Sequence, residues 1–225
     1  MTIETSRDLA GLLSIGRIVG ETLQRMGAAV QPGMTTGQLD EIGRRFLERH
    51  HARPAPALTY GFPGVACISI NDEAAHGIPG QRVIAAGDVV KIDVSAERGG
   101  YFADAAVTVV AQPAPGQHER LAEGAQAVLA AAIAAAVAGQ PLHRIGAAAE
   151  QAARARGFAV VRELCAHGIG RNLHEPPDLI PQYFDPAARR RLTDGLVLTV
   201  EPHVTTGKGA LRTGDDGWTL LTRDK

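Results

Sequence analysis

The sequence has 225 residues, with 23 Lys and Arg against 24 Asp and Glu and a formal net charge of −1. This balance excludes a generally basic surface of the kind that binds nucleic acids or anionic membranes. A chain of this length can bury its own core as one or two domains. The two cysteines, Cys67 and Cys165, are interpreted as free thiols. The N-terminus lacks the pattern of a signal peptide, and the longest apolar run, residues 127–138, is too short to cross a bilayer. We therefore expect a cytoplasmic location.

The first part of the chain predicts two helices and then an extended segment. Apolar residues recur at helical spacing after capping-box residues, and proline and glycine mark the interruptions. In chain order, the predicted elements are a helix capped by Thr5 and Asp8 and ended by Pro32-Gly33, a second helix capped by Thr35 or Thr36, a proline-rich loop over residues 53–63 and a β-like run over residues 65–70.

The second part of the chain repeats this order of helices before strands. An alanine-rich segment predicts a helix, and a proline opens another. The predicted elements are helices over residues 119–138 and from Pro141 to about Arg156, an extended stretch over residues 162–165 and a strand over residues 196–200.

A weak internal sequence repeat relates the two parts. Each contains a turn glycine, an apolar strand and then a carboxylate, as Gly87-x-Val89-Val90-x-Ile92-Asp93 and Gly195-x-Val197-Leu198-x-Val200-Glu201. His76-Gly77-Ile78 and His167-Gly168-Ile169 recur in the same way. We interpret the chain as one domain of two halves, about 1–112 and 113–225, related by a pseudo-two-fold axis. Chance similarity between short apolar strands is the alternative.

The most informative segment is a predicted hairpin over residues 89–110. A turn centred between Arg98 and Gly99 places Asp93 directly opposite Asp104, with Cβ atoms about 5 Å apart. Like charges at that distance need solvent, a shared proton or a cation between them. Because the first strand is apolar on both faces, we favour a divalent metal. A looser turn with one Asp at a loop edge is the alternative.

Two further residues support a metal site. Glu201 ends the apolar run over residues 196–200, and His167 lies in a glycine-rich segment without helical character. One histidine and three carboxylates form a hard donor set that suits Mn, Fe or Co, and it is unlike a thiolate zinc site.

Several motifs together resemble those of a type I methionine aminopeptidase of the short bacterial kind, from the first helix to the last residue. They are Pro32-Gly33-Met34-Thr35-Thr36-Gly37-Gln38-Leu39-Asp40, Cys67-Ile68-Ser69-Ile70-Asn71-Asp72-Glu73, His76-Gly77-Ile78-Pro79, Asp93 with Asp104, His167-Gly168-Ile169-Gly170, His174-Glu175-Pro176-Pro177, Glu201-Pro202 and Asp216-Gly217-Trp218.

The resemblance implies an α+β, pita-bread (creatinase/aminopeptidase) fold, with duplicated halves around a central antiparallel sheet and helices on the outer face. It also implies a site for two divalent ions, Co, Mn, Fe or Zn. In this chain the metal ligands would be Asp93, Asp104, His167 and Glu201. His76 and His174 would position the substrate and stabilise the intermediate, and Glu201 would carry a proton. The methionine pocket would include Phe62, Cys67 and Trp218.

The implied reaction is hydrolysis of the first peptide bond of nascent proteins and peptides that begin with methionine. Metals lower the pKa of bound water from 15.7 to about 7, so that hydroxide can attack at neutral pH. The implied partners are N-terminal Met peptides and nascent chains, without DNA or membrane, and a monomer is expected. Arg189-Arg190-Arg191 could contact ribosomal RNA, although a solvated helix face is the plainer interpretation.

The chain also departs from the family pattern. The family continues past the Asp-Gly-Trp segment into a strand that carries another metal-bridging glutamate, whereas this sequence stops at Lys225. Either the ligand is absent, which would leave one ion, or the sequence ends early. An absent ligand keeps open the alternative of a catalytically impaired pita-bread protein that binds peptides. An Xaa-Pro peptidase on the same fold, which resembles this chain around the metal site, is a separate alternative.

Overall fold

The computed structural model of the protein describes residues 1–224. Lys225, at which the predicted domain ends, lies outside the described residues. Two helices open the chain, α1 (Ser6–Ala29) and α2 (Thr36–Arg49). Both begin with a capping box, at Thr5 with Asp8 as predicted and at Thr35 with Gln38, where only a cap by Thr35 or Thr36 was predicted. In each box the cap hydroxyl accepts from a backbone N–H that has no partner within the helix.

The rest of the first half is mainly strand. It contains β1 (Arg53–Pro54), α3 (Ala55–Tyr60), β2 (Cys67–Ile70), β3 (Glu73–Ala75), β4 (Val89–Arg98) and β5 (Tyr101–Val110). The prediction of a loop over residues 53–63 was wrong for its first part, because β1 and α3 lie there. Proline near the start of α3 has no N–H to leave unpaired, and the left-handed Gly61 ends the helix.

The second half again begins with helices. It contains α4 (Gly116–Ala135), α5 (His143–Arg154), β6 (Ala159–Val160), β7 (Cys165–Gly168), β8 (Glu175–Pro181), β9 (Val204–Thr205), β10 (Leu211–Thr213) and β11 (Leu220–Thr222). The helices were predicted with boundaries a few residues from those observed.

Three predictions for the second half were wrong. Residues 162–163 form a turn, and the strand begins only at Cys165. Residues 196–200 form isolated bridges, Leu196 to Thr2 and Leu198 to Gly168, in place of a continuous strand. An apolar run forms a strand only where a neighbour supplies a full ladder of hydrogen bonds. Arg189-Arg190-Arg191 is exposed and lies outside any helix.

Strand β4 is the centre of the main sheet. It pairs antiparallel with β1 and β2 on one side and with β5 along the hairpin. A separate sheet has the order β10-β11-β3, so β3 of the first half pairs with β11 near the end of the described chain. Strands β7 and β8 form a further pair. These pairings bring segments from both halves to one region.

Each half has its own buried apolar cluster. The first lies under α1 and α2 and includes Ile15, Met26, Ile70 and Ile92, all fully buried. The second lies under α4 and α5 and includes Val128, Ile145 and Ile180. None of the helices described for residues 1–224 combines the length and the apolar character that crossing a bilayer requires.

Candidate active site

The carboxylates of β4 and β5 lie on one face of the hairpin, but in a different register from the predicted one. Asp93 is opposite Ala106, and Asp104 is opposite Ser95. The reason is the turn: Gly99 and Gly100 both adopt left-handed conformations, with φ of 62° and 81°. The turn is therefore centred between these two glycines, one residue later than predicted.

The later turn shifts the residue opposite each aspartate by two positions, so Asp93 and Asp104 are diagonal neighbours on the same face. Asp93 stays close enough for its charge to act on Asp104. Burial raises the pKa of Asp104 well above its ordinary value, and the nearby Asp93 and Glu201 raise it further. The hairpin thus brings two carboxyl groups close together on one face, as the sequence predicted for this pair, and burial disfavours the ionised form of Asp104.

His167 and Glu201 come to the same place from the second half. The Nε2 atom of His167 lies 3.4 Å from Oε1 of Glu201 and 3.8 Å from Oδ2 of Asp104. Burial disfavours the charged form of both groups. It is the main reason that the pKa of Glu201 is raised to about 7 and that the pKa of His167 is lowered. The structure therefore brings together His167, Glu201 and Asp104, with Asp93 beside them.

Thr199 connects this histidine to this glutamate, and the sequence analysis missed it. Its hydroxyl lies 2.6 Å from Oε1 of Glu201 as a donor, and it accepts from the backbone N–H of His167 at 3.0 Å. The backbone N–H of Thr199 donates to the carbonyl of His167 at 2.8 Å. The two-residue spacing before Glu201 was the available indication, since alternate residues of an extended segment share a face.

The two other predicted histidines differ in their surroundings. The rings of His174 and His167 are 3.9 Å apart, and Nδ1 of His174 is 2.6 Å from the hydroxyl of Tyr60. Desolvation, with the nearby His167 and His76, lowers the pKa of His174 to about 4. His76 has a left-handed backbone, with φ of 57°, and desolvation also lowers its pKa. Tyr60 was not predicted as a site residue.

A lysine and a further histidine complete the wall of the site, and neither was predicted. The Nζ atom of Lys91 donates to the carbonyl of Ala74 at 2.6 Å and lies 2.9 Å from Nε2 of His203. His203 Nδ1 is 3.0 Å from the carbonyl oxygen of Glu201. Desolvation lowers the pKa of Lys91, opposed by Asp93 and other nearby anionic groups.

The residues predicted for the methionine pocket fall into two groups. Phe62 is buried and packs edge-on against Trp218, with ring centroids 5.3 Å apart. Cys67 lies across from Asp93 in the β2–β4 ladder. Burial, followed by the charge of Asp93, raises the pKa of the Cys67 thiol, so it is a neutral packing group rather than a nucleophile.

The donor set fits a divalent cation by its chemistry. The Nδ1 atom of His167 is 2.9 Å from the carbonyl of Gly168, which can only accept, so this nitrogen carries the proton. The lone pair of Nε2 then faces the oxygens of Glu201 and Asp104. Lone pairs opposed in this way require a proton or a cation between them.

The geometry is not yet that of a closed coordination shell. Within residues 1–224, no three His, Cys, Asp or Glu side chains already surround one point at which an ion could be held. The fit therefore rests on the identity, charge and proximity of the donors, and side-chain rotation would have to tighten the group around an ion.

Comparison with known proteins identifies the family. The model of metallopeptidase family M24 matches residues 10–219. The chain is 40% identical over 226 aligned residues to methionine aminopeptidase 2 of Bacillus subtilis, an alignment that covers all of this chain and 91% of that protein.

Solved structures agree with this match. The methionine aminopeptidase of Rickettsia prowazekii has a TM-score of 0.93 and 33% identity, with 100% of this chain and 91% of that chain covered. The enzyme of Thermotoga maritima has a TM-score of 0.94 and 30% identity, with 100% and 90% covered. The predicted pita-bread fold is confirmed. The chain therefore belongs to metallopeptidase family M24, and within it to the methionine aminopeptidases.

Proposed function

We propose that the protein hydrolyses the first peptide bond of proteins and peptides that begin with methionine. The observation that carries the proposal is the convergence of His167 and Glu201 on Asp104, beside Asp93. Relatives named methionine aminopeptidase match this chain over its whole length, which favours this function over an Xaa-Pro peptidase or a non-catalytic peptide-binding protein.

The same residues would hold the divalent metal on which this enzyme class depends, namely Asp93, Asp104, His167 and Glu201. When bound, the metal supplies Lewis-acid activation of water and of the scissile carbonyl. We propose two ions of Co, Mn, Fe or Zn as the family's full complement. The opposed lone pairs of His167, Glu201 and Asp104 support a cation at this point.

Protein groups would then move the protons. Glu201 can accept a proton from the attacking water and pass it to the leaving amine. His174 is uncharged near neutral pH because its pKa is lowered to about 4. When Tyr60 donates to Nδ1, the Nε2–H of His174 is free to donate to the carbonyl oxygen of the substrate. His76 would contribute a second neutral imidazole.

The substrate side chain would lie against Phe62, Cys67 and Trp218. The edge-on contact between Phe62 and Trp218 supports a rigid apolar wall, and the buried Cys67 places a small polarisable group next to Asp93. An unbranched methionine side chain suits such a surface.

Domain organisation and cellular context complete the proposal. We propose one metallopeptidase domain over residues 1–225 with halves at about 1–112 and 113–225, since each half supplies two of the four candidate ligands. The protein would be a cytoplasmic monomer that meets nascent chains near the ribosome. The exposed Arg189-Arg190-Arg191 is the surface that could contact ribosomal RNA.

The direct test is methionine release from the peptide Met-Ala-Ser. The chain is stripped of metal with a chelator and assayed with and without Mn²⁺ or Co²⁺. We expect metal to raise the rate by about 100-fold or more, because water is a poor nucleophile without it. An N-acetylated peptide is the matched substrate control and should not be cleaved. A folded, metal-loaded chain that releases no methionine would contradict the proposal.

A second test concerns Tyr60. Tyr60→Phe keeps the ring but removes the hydroxyl that lies 2.6 Å from His174. We expect kcat to fall by about tenfold with little change in KM, because His174 loses its fixed tautomer and orientation. Tyr183→Phe is the control, since the ring of Tyr183 packs under the guanidinium of Arg162. Equal kcat values for Tyr60→Phe and the unmodified chain would show that this hydrogen bond does not serve catalysis.

A further inference from the structure

The motif over residues 32–40 has no part in the proposed reaction, yet it contains a buried carboxylate. Asp40 lies on α2, is 5% exposed and is not among the proposed metal ligands. Burial of a carboxylate costs free energy unless its oxygens accept hydrogen bonds. The groups that Asp40 binds therefore indicate what this position does.

Both oxygens of Asp40 have partners. Its Oδ1 accepts from the backbone N–H groups of Val65 and Ala66, each at 2.9 Å. Its Oδ2 accepts from Nη2 of Arg44, one helical turn further along α2, at 3.2 Å. These contacts fix the side chain from both sides, so α2 holds the backbone of residues 65 and 66 through one carboxylate.

The segment that Asp40 holds carries two residues of the proposed methionine pocket. Phe62 lies three residues before the first N–H donor, and Cys67 directly follows the second. Cys67 is fixed by the β2–β4 ladder, whereas residues 62–66 lie outside any helix or strand. The N–H of Phe62 donates to the carbonyl of Pro56 at 3.3 Å, which holds the start of this segment. Asp40 holds its other end.

Close packing makes the segment sensitive to a shift. An added Cβ at Gly64 would lie 2.5 Å from Cγ of Pro79 and 3.0 Å from Cε1 of Phe62. The backbone of Gly64 therefore lies directly against the Phe62 ring, which packs edge-on against Trp218. A displacement of residues 65 and 66 would move this backbone and the aromatic wall of the pocket with it.

Loss of the acceptor would cause such a displacement. Val65 and Ala66 are 2% and 0% exposed, so without Asp40 two adjacent N–H groups would be buried with no partner. Unpaired buried donors are costly, and the segment would have to move toward water to satisfy them.

We propose that Asp40 is a positioning residue of the methionine pocket. Through the N–H groups of residues 65 and 66 it sets the separation of Phe62 from Cys67, and with it the selectivity for an unbranched, apolar N-terminal side chain. This inference rests on the proposed aminopeptidase function and adds a determinant of specificity to it. Asp40 contacts no substrate, since its effect passes through the backbone.

The experiment measures kcat and KM of the metal-loaded chain for Met-Ala-Ser and for Leu-Ala-Ser. Asp40→Leu keeps the approximate size of the side chain and removes the acceptor. Asp40→Asn keeps an oxygen that can accept from both N–H groups. Glu41→Gln is the matched control, because Glu41 is a partly exposed acid on the same helix whose carboxylate pairs with Arg44 and Arg45.

In Asp40→Leu we expect KM for Met-Ala-Ser to rise about tenfold while kcat changes by less than about twofold, because a displaced wall weakens ground-state and transition-state binding alike. The preference for Met-Ala-Ser over Leu-Ala-Ser in kcat/KM should fall by about tenfold. Asp40→Asn and Glu41→Gln should stay within about threefold of the unmodified chain in both quantities. A variant that is merely less stable loses active enzyme, which lowers kcat and leaves KM and the preference unchanged.

The outcomes separate this inference from the proposed function. No methionine release by the metal-loaded, unmodified chain overturns both. If that chain is active, an unchanged KM and preference in Asp40→Leu overturns the inference alone. An equally large rise of KM in Asp40→Asn also overturns it, since the charge would then be responsible rather than the two hydrogen bonds.

A second variant covers the case in which Asp40→Leu loses its cooperative thermal transition. Asp40→Glu keeps the charge and the acceptor but moves the carboxylate by one methylene group, so it should shift the segment without leaving the N–H groups unpaired. We expect the same direction of change in KM and in the preference. Values equal to those of the unmodified chain would overturn the inference.

Discussion

Asp104→Asn is expected to lower kcat/KM for methionine release by about three orders of magnitude. A titration of the metal-free variant with Mn²⁺ should show weaker binding than in the unmodified chain. Asp104 lies where the two halves meet, within 3.8 Å of His167 and within reach of Asp93. Asparagine has almost the same shape but no charge, so the variant removes one anionic donor and leaves the packing unchanged.

Stability is expected to change in the opposite direction. The pKa of Asp104 in the folded chain is raised well above its ordinary value, so above the ordinary pKa of an aspartate this carboxyl group destabilises the folded, metal-free protein. That cost is absent below the ordinary pKa of an aspartate and grows as the pH rises toward the folded value. The Tm of metal-free Asp104→Asn should therefore be about 2–4 °C higher than that of the unmodified chain at pH 7.

The control for Asp104→Asn is Asp178→Asn, which changes an exposed carboxylate on β8. It should alter neither activity nor metal affinity. A fall in the Tm of metal-free Asp104→Asn would mean that the carboxylate has a structural role. Retained activity would remove Asp104 from the proposed ligands.

Local patterns predicted the parts of the fold that depend on neighbours in sequence. The capping box at Thr5 forms as expected, and the predicted cap of the second helix is Thr35, since each cap is complete within three residues. The strands of the β4–β5 hairpin follow from their apolar character. Their register was missed because it depends on which residues of the turn become left-handed, and these are Gly99 and Gly100 instead of the predicted Arg98 and Gly99.

The candidate site shows the same division. Asp93 and Asp104 could be singled out as facing carboxylates of a predicted hairpin, Glu201 as the end of an apolar run and His167 by its glycine-rich segment. The structure brings the four together. Tyr60 and His203 contact the site only through tertiary packing, which no sequence period encodes. Lys91 and Thr199 are different, because each precedes a predicted ligand by two residues. The alternation of side chains along an extended segment could have placed Lys91 on the same face as Asp93, and Thr199 on the same face as Glu201.

Residues 196–200 show the limit of such patterns. The apolar run predicts a strand, yet the segment forms only isolated bridges with Thr2 and Gly168. The backbone of residue 197 instead donates to the carbonyl of Met1, so the first residues of the chain take part in positioning the approach to Glu201. A strand requires a partner as well as a pattern.

Gly168→Ala is expected to lower the free energy of unfolding by about 3 kcal/mol and the rate of methionine release by about tenfold or more. An added Cβ at this position would overlap the backbone carbonyls of Glu175 and Pro176, at 2.6 Å from the latter oxygen. Both obstacles are main-chain atoms of β8, so no side-chain rotation can relieve the overlap. The pair β7–β8 has to separate instead.

This separation would reach the site directly, because Gly168 follows His167 and Glu175 follows His174 in the chain. The contact between the two imidazoles, now 3.9 Å, would open together with the strands. Chemical denaturation and peptide assays on the same preparation would measure both effects, which should appear together.

Gly16→Ala is the matched control for this substitution. Gly16 is exposed in α1 with no heavy atom within 4 Å of an added Cβ, so alanine there should stabilise the chain by about 0.5–1 kcal/mol through its higher helix propensity. Full stability with reduced activity in Gly168→Ala would mean that the strands adjust at little cost while the histidines are displaced. Full stability and full activity would show that β7 and β8 are not held as closely as this geometry requires.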